Sequence, residues 1–116
     1  MKFIIHGGAL SRSLQSISSV VPSSRTMPIL LNFLLEATNE DLIITASDLE
    51  TTISVKLTPS ILEQGNITKI AIPAKMFLEV VNSLSTQQIT INVTEDYSVE
   101  ITAGTGKYKL VGENPE

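Results

Sequence analysis

Hydrophobic residues change their period once within the first 21 positions. Lys2-Phe3-Ile4-Ile5 is an apolar run of strand length; after His6-Gly7-Gly8, Leu10, Leu14, Ile17 and Val21 recur at helical spacing. Pro22 ends that helix, since proline offers no amide hydrogen and clashes with the preceding turn. A helix advances roughly 100° per residue, so Arg12, Gln15, Ser16 and Ser19 lie on the side opposite Leu10. That face is polar and contains no acid. Beyond a loop at 22–28, residues 29–37 read as a strand, Asn39-Glu40-Asp41 as a turn, and 42–46 and 51–57 as two further strands. Ile53, Val55 and Leu57 alternate with Ser54 and Lys56, which leaves one face of the last strand in solvent.

The order then repeats. Lys69-Ile70-Ala71-Ile72 parallels Lys2-Phe3-Ile4-Ile5, and Pro73 stands at a helix start, where its missing amide hydrogen costs nothing. Phe77, Val81 and Leu84 follow Leu10, Leu14 and Ile17 by 67 positions each, so the apolar stripe recurs in register. Strands follow at 89–94, 99–104 and 107–111, with Glu95-Asp96 as a turn matching Glu40-Asp41. The repeats span 1–57 and 67–112, and 58–66, with Pro59, Gly65 and Asn66, reads as the connector. Copies too small to fold alone would pool their sheets and lay both helices on one side. The pattern therefore predicts one α+β domain with pseudo-two-fold symmetry over residues 1–116.

Composition limits the function classes. The chain has 116 residues, no cysteine, and Phe3, Phe33, Phe77, Tyr97 and Tyr108 as its aromatics, so its core is aliphatic and free of disulfides and zinc–thiolate sites. Neither the apolar start nor the run at 29–35, interrupted by Asn32, suits a signal peptide or a membrane span, and a soluble cytoplasmic protein is expected. The net charge of −4 is unevenly spread: residues 1–35 hold Lys2, Arg12 and Arg25 and no acid, and the remainder holds five basic and twelve acidic residues. One face can be positive while the rest repels polyanions.

Candidate catalytic groups are sparse. His6, the only histidine, has no Ser, Cys or Asp partner nearby and reads as a solvated or helix-capping residue. Gly104-Thr105-Gly106-Lys107 resembles the end of a phosphate-binding loop, but Ile101 stands where its first glycine belongs and Tyr108 where Ser or Thr would hold magnesium. It reads as a hairpin turn. Asp48 and Glu50 lack further oxygen ligands at loop spacing and read as a solvated turn, and Asn66-Ile67-Thr68 and Asn92-Val93-Thr94 match the glycosylation triplet by chance. No acid, base and nucleophile converge, so no enzyme, cofactor or metal is expected. Lys75 opens the second polar helix face, with Glu79, Asn82 and Ser83. Paired helices bearing small polar residues and a few cations suit phosphates rather than base edges, whereas the plainer reading is a solvated face with a Lys75–Glu79 pair.

Five stretches make the comparison specific: "MKF", "PILLNFLLEA", "SDLE", "IPAKMF" and "KYKLVGENPE". In that order and spacing the chain resembles the bacterial DNA polymerase III beta subunit, the sliding clamp, over the whole of its first domain. The resemblance implies a DNA-clamp fold, with helices lining a channel for double-stranded DNA and sheets forming the outer wall. It implies three such domains per chain, two chains closing head to tail, and the ending "GENPE" as the approach to a following domain. Arg12, Arg25 and Lys75 would face DNA; the family usually has proline after the loop cation, whereas Thr26 follows Arg25 here. Lys107, Tyr108 and Leu110 on the last strand would meet a second clamp chain. Replicative polymerase and clamp loader would act through later domains. The rival is a protein–protein interaction module with no DNA role, and the placement of Arg12 and Lys75 discriminates between the two.

Overall fold

The computed structural model describes residues 1–21, 31–48 and 50–116. The first strand, β1 (Lys2–His6), buries Phe3 and Ile5 while Lys2 and His6 are exposed. Helix α1 (Gly7–Ile17) begins at once, because the His6 imidazole caps it: Nδ1 accepts the Gly8 amide hydrogen at 3.0 Å. Leu10, Leu14 and Ile17 form its buried stripe. The helix tightens into a 3-10 turn at Ser18–Val20, and the Val21 amide closes on the Ser18 carbonyl at 3.0 Å.

Three strands follow, β2 (Asn32–Thr38), β3 (Asp41–Ser47) and β4 (Thr52–Leu57). The second half has the same order: β6 (Lys69–Pro73), α2 (Ala74–Ser83), β7 (Gln88–Val93), β8 (Ser98–Ala103) and β9 (Gly106–Val111). Between them, the segment read as a connector holds a strand that the pattern does not announce, β5 (Ile61–Glu63), paired antiparallel to β1.

Pooling of sheets takes the form of an exchange. The sheets run β5-β1-β7-β8-β9 and β4-β3-β2-β6, all antiparallel. Each half lends its first strand to the other: Phe3 pairs with Ile91 and Ile5 with Ile89, while Ile72 pairs with Phe33 and Ile70 with Leu35. Neither half has a complete sheet, so the two share one core, in which Phe3, Phe33 and Phe77 are fully buried among aliphatic residues. Past β9 the chain crosses to the second sheet, where Glu113 and Ala71 exchange backbone hydrogen bonds of 2.8 and 3.0 Å.

The helices lie side by side and antiparallel. A Cβ on Gly7 would sit 2.0 Å from the Leu84 carbonyl oxygen, so the start of α1 abuts the end of α2. The Gly7 amide also donates to the Gln87 carbonyl at 2.8 Å. At the opposite end, Ser18 and Val21 share a hollow of about 210 Å³ with Ala74, Lys75 and Leu78 from the start of α2. Gln15 and Asn82 are separated by the same 67 positions as the apolar stripes, and they touch: Gln15 Nε2 donates to Asn82 Oδ1 at 3.1 Å. Contact between equivalent residues places the local two-fold axis at this seam.

A candidate nucleic-acid interface on the paired helices

The outward faces follow from the buried ones. On α1 the core takes Leu10, Leu14 and Ile17, which turns Arg12, Gln15 and Ser16 to solvent; on α2 it takes Phe77 and Val81, which turns out Lys75, Met76, Glu79, Asn82 and Ser83. Arg12 and Lys75 both lie on the side of their helices away from the core, and the helices are neighbours. Arg25 lies outside the described residues.

Three polar side chains fix the seam between the helices. Asn82 Oδ1 accepts from the Ser11 hydroxyl and from Gln15 Nε2, and Gln15 Nε2 also donates to Ser11 Oγ at 3.0 Å. Ser11 is only 5% exposed, so the amide oxygen of Asn82 supplies an acceptor that water cannot. The other hydroxyls turn back on their own helices: Ser16 donates to the Ser13 carbonyl at 2.7 Å, Ser18 to Gln15 at 3.0 Å, and Ser83 to Val80 at 2.7 Å. Their hydrogens are thus engaged, and they show oxygen lone pairs to solvent. A phosphate requires donors, which on this surface come chiefly from Arg12 and Lys75.

The electrostatics are simple. Among the described residues, one ion pair lies within 4 Å, Lys69 with Glu36 at 3.8 Å, joining β6 to β2. The Lys75–Glu79 pair expected from their spacing is not formed. Sequence reasoning grouped Glu79 with the polar face but missed its symmetry position: the 67-residue offset sets it where the first helix has Arg12.

The last strand differs from expectation in one respect. Leu110 is 5% exposed, opposite Val99, so its side chain belongs to the core and cannot supply surface adhesion. The inner face of β8, lined by Val99 and Ile101, continues across β9, and parity carries Leu110 inward. Tyr108 shares that parity yet stays 38% exposed, while Lys107, Lys109 and Val111 occupy the other face. Val111, at 73% the most exposed large apolar side chain there, carried no signal beyond its parity. Along its outer edge β9 pairs with no further strand among the described residues.

Other candidates resolve into local structure. Asp48 Oδ1 accepts the backbone amides of Thr51 and Glu50 at 2.6 and 2.7 Å, which hold its carboxyl below the usual aspartate range. Asp96 is lowered likewise, first by the Thr94 hydroxyl and then by the Ser98 amide. Gly104 takes a φ of +56° at the first central position of the β8–β9 turn, a conformation that suits glycine. Asn66 and Asn92 donate to Glu95 and Glu100 at 3.0 and 3.4 Å. No group of three or more His, Cys, Asp or Glu able to hold a metal ion occurs among the described residues, and none of their helices is long and apolar enough to cross a membrane. A hollow of about 380 Å³ beside β5, lined by Glu40, Thr58, Pro59, Ser60 and Leu62, presents a single carboxylate.

Comparison with known proteins agrees with this fold. The family described as DNA polymerase III beta subunit, N-terminal domain, matches residues 1–116. A beta sliding clamp from Vibrio harveyi is 33% identical over 111 residues, covering 95% of this chain and 74% of the relative. One from Chlamydia muridarum is 28% identical across the whole chain but is covered over only 31% of its length, so the chain spans about a third of such curated relatives. Among solved structures, a putative DNA polymerase III beta subunit from Eubacterium rectale superposes with a TM-score of 0.89 at 29% identity, over 97% of this chain and 30% of that one. A sliding clamp from Pseudomonas aeruginosa gives the same TM-score and identity over 99% and 31%.

Proposed function

The chain belongs to the DNA polymerase III beta-subunit family, whose N-terminal domain it spans, and from that premise we propose that it is one sector of a ring that encircles duplex DNA and tethers the replicative polymerase. The observation that carries the DNA-facing part is the antiparallel helix pair, with Arg12 and Lys75 turned away from the core on adjacent helices. In this reading the sheets form the outer wall and the chain performs no catalysis. Arg12, Arg25 and Lys75 meet the phosphate backbone, and sequence is not read. The domain is a single unit built from repeats 1–57 and 67–112 joined by 58–66, and it works in the cytoplasm.

Retention by such a ring is topological. A few cations against a polyanion give contacts that are weak, salt-sensitive and indifferent to sequence, which permits sliding. The ring closes head to tail through β9: its outer backbone edge extends a neighbouring sheet, and Lys107 and Tyr108 supply side-chain contacts. Polymerase and clamp loader act through domains beyond these residues.

The test is a titration of the 116-residue chain with a short duplex, followed by amide chemical shifts. Dissociation constants weaker than about 1 μM at physiological salt are expected, with shifts confined to α1 and α2. Replacing Arg12 and Lys75 together by Ala should flatten the salt dependence of log K by about 0.9 for every phosphate that the variant no longer neutralises. Tight binding that survives physiological salt, or shifts confined to the outer sheets, would overturn the reading.

A further inference from the structure

We propose that Glu79 is a repulsive element of the DNA-facing surface, a fixed negative charge that weakens the hold of Arg12 and Lys75 on phosphates so that the helices guide a duplex without gripping it. This role rests on the duplex-binding reading and adds a specific determinant of how weak the contact is.

The local symmetry isolates this residue. Gln15 and Asn82 meet at the two-fold axis with an offset of 67, and the same offset carries Arg12 onto Glu79. The skeleton therefore offers two equivalent outward positions and fills one with a cation and the other with an acid. Lys75 has no such counterpart: its equivalent is Gly8, a buried residue at the start of α1. The helix pair thus presents Arg12 and Lys75 against Glu79.

Glu79 is also free to act at a distance. It is exposed, one helical turn beyond Lys75 on the same outward face, and among the described residues no cation lies within 4 Å of its carboxylate. Its charge is therefore not cancelled by an ion pair. A duplex resting on this face brings several phosphates within about 10 Å, close to one Debye length, where like-charge repulsion is reduced but not abolished. Near water's dielectric constant each repulsion is small, so the summed effect on affinity is about three- to fivefold.

The experiment compares Glu79→Gln with Glu63→Gln in the 116-residue chain, by titrating each with a short duplex at low and at physiological salt. Glu63 pairs with Lys2 at the edge of the first sheet, in register with the face of β1 opposite buried Phe3, so its substitution changes net charge equally without touching the helices. Glu79→Gln should tighten binding about three- to fivefold at low salt and Glu63→Gln less than twofold. Glu79→Lys should steepen the salt dependence of log K by about 0.9, as for one more phosphate neutralised. Equal effects of the two Gln variants, or none from Glu79→Gln, overturn the proposal. The Arg12→Ala, Lys75→Ala double variant separates the failures: if it binds as tightly as the parent, the duplex reading fails and Glu79 with it. If it binds more weakly while Glu79→Gln behaves like Glu63→Gln, only the role of Glu79 is lost.

Discussion

The two halves of the chain share a skeleton and differ at its entrances. Where α1 begins, His6 caps the helix with its ring, and Gly7 and Gly8 let the end of α2 come into backbone contact. Where α2 begins, Pro73 gives no side-chain cap, and the position equivalent to Gly7 is Ala74, a 5% exposed residue that keeps its methyl group. The core stripes, Leu10-Leu14-Ile17 and Phe77-Val81-Leu84, keep their apolar character because both serve one shared core. Duplication thus constrains what is buried at the centre and leaves the ends and the surface free to diverge.

The asymmetry at the helix starts predicts the largest effect. In Gly7→Ala, the added Cβ meets a carbonyl oxygen at 2.0 Å and carbon at 2.9 Å, both backbone, so no rotamer change relieves the clash. A loss of about 2–4 kcal/mol is expected, despite the better helix propensity of alanine. Ala74→Gly, the mirror substitution, should cost only about 1 kcal/mol. Denaturant unfolding of both variants decides the matter, and comparable losses would show that the halves meet their helix ends in the same way.

A smaller difference separates the two amides at the axis. Asn82→Ala strips the buried Ser11 hydroxyl of its acceptor and should cost about 1–2 kcal/mol. Gln15→Ala removes a donor from an exposed site and should cost less than about 0.5 kcal/mol. The double variant should fall short of the sum, since the two share Asn82 Oδ1; strict additivity would mean that the seam is not a network.

How far the chain could be read beforehand depended on the range of the interaction. Among the described residues, local periods gave both α-helices, eight of the nine strands to within a few residues, and the 67-residue offset, because apolar spacing is a property of neighbouring residues. The exchange of β1 and β6 between the sheets was not readable, since it pairs Phe3 with Ile91 and Ile70 with Leu35, and spacing carries no information about partners so far apart. The strand β5 has three residues, too few to show alternation. That the Leu110 side chain faces the core was not readable, because alternation gives two faces without saying which is inside; the core beneath Val99 decides that. At the helix surface the outward placement of Arg12 and Lys75 needed only the turn per residue, whereas the Ser11–Asn82–Gln15 contacts needed the relative setting of two helices.

The smallest expected effect compares two turns, one from each half. Asp48 accepts two backbone amides in the β3–β4 turn, and Asp96 accepts a hydroxyl and an amide in the β7–β8 turn; both carboxyls lie below the ordinary aspartate value of 3.8. A carboxyl lowered on folding stabilises the native state above its unfolded value, and that contribution is lost as pH falls through the lower folded value. Stability should therefore hold steady on acidification until the pH drops below about 3.8 and then decline, as far as these two groups are concerned. Asp96 is exposed and Asp48 partly so, and solvent screening should keep the slope shallow. Carboxyl carbon shifts followed by NMR should place both midpoints below 3.8. Asp48→Asn keeps the side-chain oxygen that accepts the Thr51 and Glu50 amides, so it should retain the turn and remove only the acid-sensitive part. A variant whose stability still declines with the parent's slope below that pH would assign the decline to other carboxylates.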